Sequence, residues 1–264
     1  MPGDRPVLEL RDLWVEAPGG RPLVAGVDLA MHAGEVLGLV GLSGAGKSLT
    51  ACALAGLLPP PLRAVRGVLR LDGREIGLNH PAAWRRVRGG EVLLLMQMSG
   101  LALNPFLRVG AQIEEALRAV RGLDRRGART RAGLALERVD LGGERRRAYP
   151  HQLSGGMRRR VLIALAWALA PRVLAADEPL TGLDEAMQAE MLELLTALAQ
   201  ERRAAVLLIG HDLRRLGAAC RRIMVMQGGR VVDQGEPAQL WSRPGHPLTQ
   251  ALVDSLAFLE GGDA

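Results

Sequence analysis

The sequence predicts an α/β protein, a mostly parallel sheet covered by helices on both faces and interrupted by a helical insertion. Apolar runs at Glu35–Val40, Val173–Ala176 and Val206–Ile209 read as strands, and helical segments alternate with them along the chain. Between them Val109–Ala148 is laced with Arg and Glu at helical apolar spacing. A length of 264 residues fits one such domain with an inserted subdomain better than two independent domains.

Taken in order, Val7–Leu13, Leu23–Met31 and Glu35–Val40 read as strands separated by Ala-Pro-Gly-Gly and His-Ala-Gly turns. A helix is expected over Ser48–Leu58, stopped by Pro59-Pro60-Pro61. Gly67–Ile76 and Val92–Gln97 read as further strands, and the helical insertion follows. From Ser154 a helix runs to Leu169. Val173–Ala176 is then a buried strand ending in two acids, Asp184–Arg203 a long amphipathic helix, and Val206–Ile209 the next strand. The organisation is expected to be a β and loop part of the core over 7–97, a helical subdomain over 98–170, a second core part over 171–235 and a short helical tail over 236–264.

Composition narrows the function classes. A 48% hydrophobic and 23% charged chain is ordinary for a soluble globular domain. Its longest apolar stretches fall short of the roughly 20 residues that span a bilayer. The N-terminus lacks the apolar core of a signal peptide, and the only cysteines, Cys52 and Cys220, lie in separate halves, as suits a reducing cytoplasm. A net charge of +6 is spread among acidic residues along helices and reads as solvated surface, not as a nucleic-acid footprint. One feature of the charge is pointed: Lys and Arg together number 34, yet Lys47 is the only lysine. Arginine's planar fork and lysine's compact ammonium are not interchangeable in tight spaces, so Lys47 marks a place where only lysine fits.

That lysine lies in Gly41-Leu-Ser43-Gly44-Ala-Gly46-Lys47-Ser48, a strand–loop–helix pattern whose backbone N–H groups cradle nucleotide phosphates. Glycines let the backbone wrap, Lys47 neutralises β/γ oxygens, and Ser48 ligates Mg²⁺, with Leu49 next in the helix. Val173–Ala176 delivers Asp177 and Glu178 to a strand's C-terminal end, where open α/β sheets bind ligands. Asp177 would hold Mg²⁺ and Glu178 polarise the attacking water. Taken alone, such a pair is more often a helix cap or a solvated turn. Leu153-Ser154-Gly155-Gly156-Met157 precedes a helix, and by itself suits a plain N-cap and turn.

Together these segments resemble the ABC ATPase superfamily, whose signature usually reads Leu-Ser-Gly-Gly-Gln. Its other motifs match in order: Gln97 as the loop glutamine sensing Mg²⁺ and γ-phosphate, Leu183-Asp184 as the D-loop, and His211 as the switch histidine. The resemblance implies a P-loop NTPase (RecA-like) core with a mostly parallel sheet, an N-terminal antiparallel β subdomain and an inserted α-helical signature subdomain. It further implies ATP and Mg²⁺ as ligands, with Glu178, His211 and Gln97 catalytic and Ser48, Gln97 and Asp177 around Mg²⁺. The partners implied are two membrane-spanning permeases, a second ATP-binding subunit in a hetero- or homodimer, and a substrate-binding protein, assembled at the cytoplasmic face of the inner membrane. In such a dimer Ser154, Gly155 and Gly156 of one subunit face the nucleotide held by the other.

Within the superfamily, Leu103-Asn104-Pro105 and the tail Pro244-Gly-His-Pro-Leu-Thr-Gln-Ala-Leu252 are similar to the peptide and nickel import branch. The chain ends at Ala264 without the Cys-containing extension common in peptide-import ATPases. This shorter form, with Ser48-Leu49-Thr50 after Lys47 and Met157 in the signature, most resembles the first nickel-import ATPase of a paired set, which is the expected reading. A dipeptide or oligopeptide importer is the alternative, and an iron–sulfur assembly scaffold ATPase a more distant one. Two departures stand out. Met98-Ser99 replaces the usual residues after the loop glutamine, and Ala17 stands where the family places an aromatic against adenine. Trp14, three residues away on a strand, is expected to point to the opposite face.

Overall fold

The computed structural model describes residues 5–96 and 103–260. Strands β1 (Leu8–Ala17) and β2 (Arg21–Met31) form a hairpin, and β3 (Val36–Gly41) runs into helix α1 (Lys47–Leu54). Next come β4 (Arg63–Leu71), β5 (Arg74–Ile76), the short α2 (Pro81–Trp84) and β6 (Val92–Leu95). The insertion holds α3 (Val109–Arg121), α4 (Arg125–Glu137) and two 3₁₀ turns, Gly143–Arg147 and Pro150–Gln152. The chain returns through α5 (Gly155–Leu169), β7 (Val173–Asp177), α6 (Glu185–Arg202), β8 (Ala205–Gly210) and α7 (Leu213–Gly217). It closes with β9 (Arg222–Gln227), β10 (Arg230–Gly235), α8 (Pro237–Ser242) and α9 (Pro247–Glu260).

Two sheets result. A four-stranded antiparallel sheet has the order β2-β1-β4-β5, and a six-stranded sheet the order β10-β9-β3-β8-β7-β6. Every pairing in the larger sheet is parallel except that of the edge strand β10 with β9. Successive residues of its central strands pack into opposite cores. Val36, Val40, Ala176, Val206 and Leu208 face the cluster that includes α5, α6 and the insertion. Leu37, Leu39, Ala175, Leu207 and Ile209 face the cluster built with α1 and the antiparallel sheet. Burial on both faces is why these strands read as unbroken apolar runs. On α6 the buried residues Gln188, Met191, Leu195, Leu198 and Ala199 form a single stripe.

Three expectations need correction. The helix expected over Ser48–Leu58 ends at Leu54, because Gly56 turns left-handed at φ 65° and an added Cβ there would lie 2.2 Å from the Trp84 ring. The steric stop is a glycine packed under an indole, upstream of the prolines. The single strand expected over Gly67–Ile76 is a hairpin starting at Arg63, turned by Asp72 and Gly73 at φ 49° and 75°. Strands β9 and β10 belong to a stretch in which no strand was expected. Among the described residues no helix is long and apolar enough to cross a membrane.

Candidate active site

The loop between β3 and α1 is fixed by its glycines and by a neighbouring hairpin. A Cβ at Gly41 would lie 2.3 Å from the Met226 carbonyl oxygen, and one at Gly46, where φ is 102°, would lie 3.0 Å from that of Leu23. Glycine is the residue that permits both approaches. Gly229, in the turn between β9 and β10, donates its N–H to the Ala45 carbonyl at 3.0 Å and so pins the loop from outside. Ser43, Gly44 and Ser48 are exposed, and Leu49 is half-buried on α1.

Lys47 is 7% exposed, and its Nζ donates to the carbonyls of Gly41 at 2.8 Å and Leu42 at 3.1 Å. Burial holds its pKa below the usual lysine range, against the opposing pull of Glu178 and Asp177. A compact ammonium folded back onto the loop's own carbonyls needs a flexible stem and a point charge. A planar guanidinium lacks that geometry, which accounts for a lone lysine among arginines.

Strand β8 lies between β3 and β7, so the ends of β7 and β8 come beside the loop. Asp177, the last residue of β7, is 4% exposed, and its Oδ1 is buried with no hydrogen-bond partner. Burial raises its pKa, Glu178 adds to the rise, and the Ser48 hydroxyl and the Lys47 ammonium oppose it. Glu178 follows in a left-handed conformation at φ 52°, with its N–H donated to the Ile209 carbonyl at 3.0 Å. Such a conformation costs a non-glycine residue roughly 1–2 kcal/mol, a strain that tends to be kept at functional sites. Its carboxylate accepts a hydrogen bond from Thr181 Oγ1 at 2.7 Å and lies 3.1 Å from His211 Nδ1. His211 directly follows β8. A 270 Å³ cavity opens here, lined among others by Glu178, Gly182, His211 and Arg215.

The Ser154–Gly156 segment stands apart. Ser154 caps α5, its Oγ accepting from the Met157 N–H at 3.2 Å, and nothing lies within 4 Å of where a Gly155 Cβ would sit. At Gly156, half-buried, an added Cβ would lie 2.8 Å from Met187 Sδ. The open side of this helix N-terminus, where N–H donors and the positive dipole end can meet an anion, is therefore at Ser154 and Gly155. No hydrogen bond or ion pair among the described residues joins Ser154, Gly155 or Gly156 to the loop that holds Lys47. Asp184 caps α6, accepting from the Met187 N–H at 2.8 Å. Gln97, like Met98, Ser99 and Leu101, lies outside the described residues.

Two contacts escaped the sequence reading. Thr181 holds the Glu178 carboxylate, and Arg159, on α5, donates to the Thr181 carbonyl, tying the helix behind Ser154–Gly156 to the turn that carries Thr181. The first was accessible as a hydroxyl three residues past an acid; the second needs the tertiary fold. Trp14 Nε1 donates to Asp12 Oδ1 at 2.7 Å and Arg230 lies 5.6 Å from its ring centre, while a register irregularity between Val15 and Glu16 breaks the strict alternation on which its expected orientation relative to Ala17 rests.

The ABC transporter family model matches residues 24–181. The oligopeptide transport ATP-binding protein OppD of Haemophilus influenzae is 36% identical, over 98% of this chain and 81% of its own. The dipeptide transport ATP-binding protein DppD of Escherichia coli is 40% identical, over 87% of this chain and 71% of its own. Among solved structures, the dimeric bacterial ABC transporter cassette MJ0796 superimposes with a TM-score of 0.76 at 25% identity, covering 87% of this chain and 98% of the cassette. The same cassette is known in a post-hydrolysis state with ADP and phosphate, at the same TM-score of 0.76. A glycine-built loop facing paired carboxylates, on a cassette fold that binds and hydrolyses ATP, agrees with the family match and the relatives: this chain belongs to the ABC transporter ATP-binding family.

Proposed function

We propose that this chain powers peptide import, as one of two ATP-binding subunits carried by two membrane-spanning permeases at the cytoplasmic face of the inner membrane and served by a substrate-binding protein. The observation that carries the cargo is the identity of the relatives: the oligopeptide and dipeptide transport proteins match 98% and 87% of the chain. The nickel expectation rests on the resemblance carried by Ser48-Leu49-Thr50 and Met157, whereas both of these relatives are named for peptide transport. The alternative, peptide, is the better supported of the two.

In this reading Lys47 leaves the carbonyls of Gly41 and Leu42 to meet β/γ-phosphate oxygens. Glu178, oriented by Thr181 and His211, takes the proton of the attacking water. Mg²⁺ fits between Ser48 and Asp177, since the orphaned buried oxygen of Asp177 lacks a cation or donor, and Gln97 would complete its oxygen set. Once bound, it would neutralise phosphate charge. Ser154, Gly155 and Gly156 serve the nucleotide of the opposing subunit through the exposed first turn of α5, while Asp184 holds the neighbouring turn as a helix cap. A site split between two chains makes ATP the bridge of the dimer, and hydrolysis its release.

The complex purified from solubilised native membranes is expected to contain two permeases, and its ATPase rate to rise severalfold with a peptide-loaded binding protein. Stimulation by a nickel chelate and not by peptide would return the cargo to nickel. The adenine side gives a further prediction. Ala17→Tyr should tighten ATP binding, since a stacked aromatic is worth roughly 1–3 kcal/mol per base. Equilibrium binding measures it, and a severalfold loss in Trp14→Ala with no gain in Ala17→Tyr would assign the stacking to Trp14.

A further inference from the structure

We propose that a groove on the helical insertion is a second anion site, which takes a phosphate group from either an anionic phospholipid or a soluble phosphate ester. The groove has a volume of 490 Å³ and is lined by Arg108, Arg125, Arg129, Arg146 and Arg147, against the acids Glu114 and Glu144. Its floor is built: Arg146 runs so close to two glycines that an added Cβ would lie 2.5 Å from its Cγ at Gly110 and 3.3 Å from its Nη1 at Gly133. Glu114 holds that guanidinium at 2.6 Å and is thereby taken out of play. Arg108 is packed over the Tyr149 ring, 5.8 Å from its centre.

Arg125, Arg129 and Arg147 make no ion pair or hydrogen bond among the described residues. Many other arginines do have partners, among them Arg74 with Glu91, Arg172 with Asp72 and Arg222 with Glu35. Arg125 and Arg129 are four apart on α4, a like-charge spacing that weakens a helix, and Arg125 opens α4 against the helix dipole. Charge placed against local helix stability and converging on one concavity fits a ligand, not a solvated face. Several guanidinium forks around a small space suit the many oxygens of a phosphate.

The test compares the intact chain, Arg125→Glu/Arg129→Glu and a control reversal of two exposed arginines outside the groove, Arg85→Glu/Arg86→Glu. All three should keep the basal ATPase rate. Co-sedimentation with phosphatidylglycerol-containing and pure phosphatidylcholine vesicles reads the lipid source. Calorimetric titration of the ADP-saturated chain with inorganic pyrophosphate, the phosphate loop being filled, reads the soluble one. The groove variant is expected to lose about tenfold or more in affinity for one of the two anions, each basic side chain near an anionic surface being worth roughly fivefold, and the control to lose less. Whichever anion responds identifies the source. Equal losses in groove and control variants, or no loss for either anion, would overturn the site.

Discussion

Glu178→Gln is expected to bind ATP as the unaltered chain does while turnover falls by about 10²–10⁴-fold, the usual contribution of a positioned general base. The amide matches the carboxylate in size and can still meet Thr181 and His211, so the left-handed turn at residue 178 and the packing of β7 should survive. What disappears is the capacity to accept a proton. With Lys47, Ser48 and Asp177 untouched, bound ATP should persist and hold two cassettes together, giving an ATP-dependent dimer visible by light scattering. A variant that hydrolyses at the original rate would remove Glu178 from the reaction.

Lys47→Met is expected to separate folding from ligand binding. The ammonium is buried and its charged form is disfavoured, so an apolar chain of similar length relieves a desolvation cost while giving up two bonds to carbonyl oxygens. These effects oppose each other, and the melting temperature without nucleotide should shift little. Affinity for ATP should fall roughly tenfold or more, because a hydrogen bond to a charged group contributes about 1.5–3 kcal/mol. Thermal melts with and without ATP check both parts: at saturating ATP the stabilisation that ligand gives should be smaller in the variant by about 1.4 kcal/mol or more, the equivalent of a tenfold loss in affinity.

Much of this was legible in the sequence because each motif imposes a local steric or electrostatic demand. The phosphate loop needs glycine at 41 and 46, the β7 strand must end in its carboxylates, and Ser154 and Asp184 sit at helix N-caps. Demands set by distant residues were not legible. Gly56 ends α1 because Trp84, 28 positions on, covers it. The Thr181–Arg159 link requires the signature helix to pack beside the turn after β7, a relation no spacing encodes. Strands β9 and β10 were legible in principle, since Ile223 and Val225 on one side and Val231 and Val232 on the other flank a Gly228-Gly229 turn, but the segment lies beyond the last motif and carries no residue of the site.

The central claim, that the loop from Gly41 to Ser48 holds ATP phosphates through Lys47, is tested most directly by an amine-directed acylating reagent. Besides the α-amino group, Lys47 is the only amine in the chain, and arginines do not react. Burial lowers the pKa of Lys47, leaving more of the nucleophilic free amine at a given pH, so labelling should proceed despite limited access. Peptide mass mapping should find Lys47 acylated in the nucleotide-free chain, protected by Mg-ATP and unprotected by AMP, with nucleotide affinity lost in step with the label. Equal labelling of Lys47 with and without ATP would contradict the account.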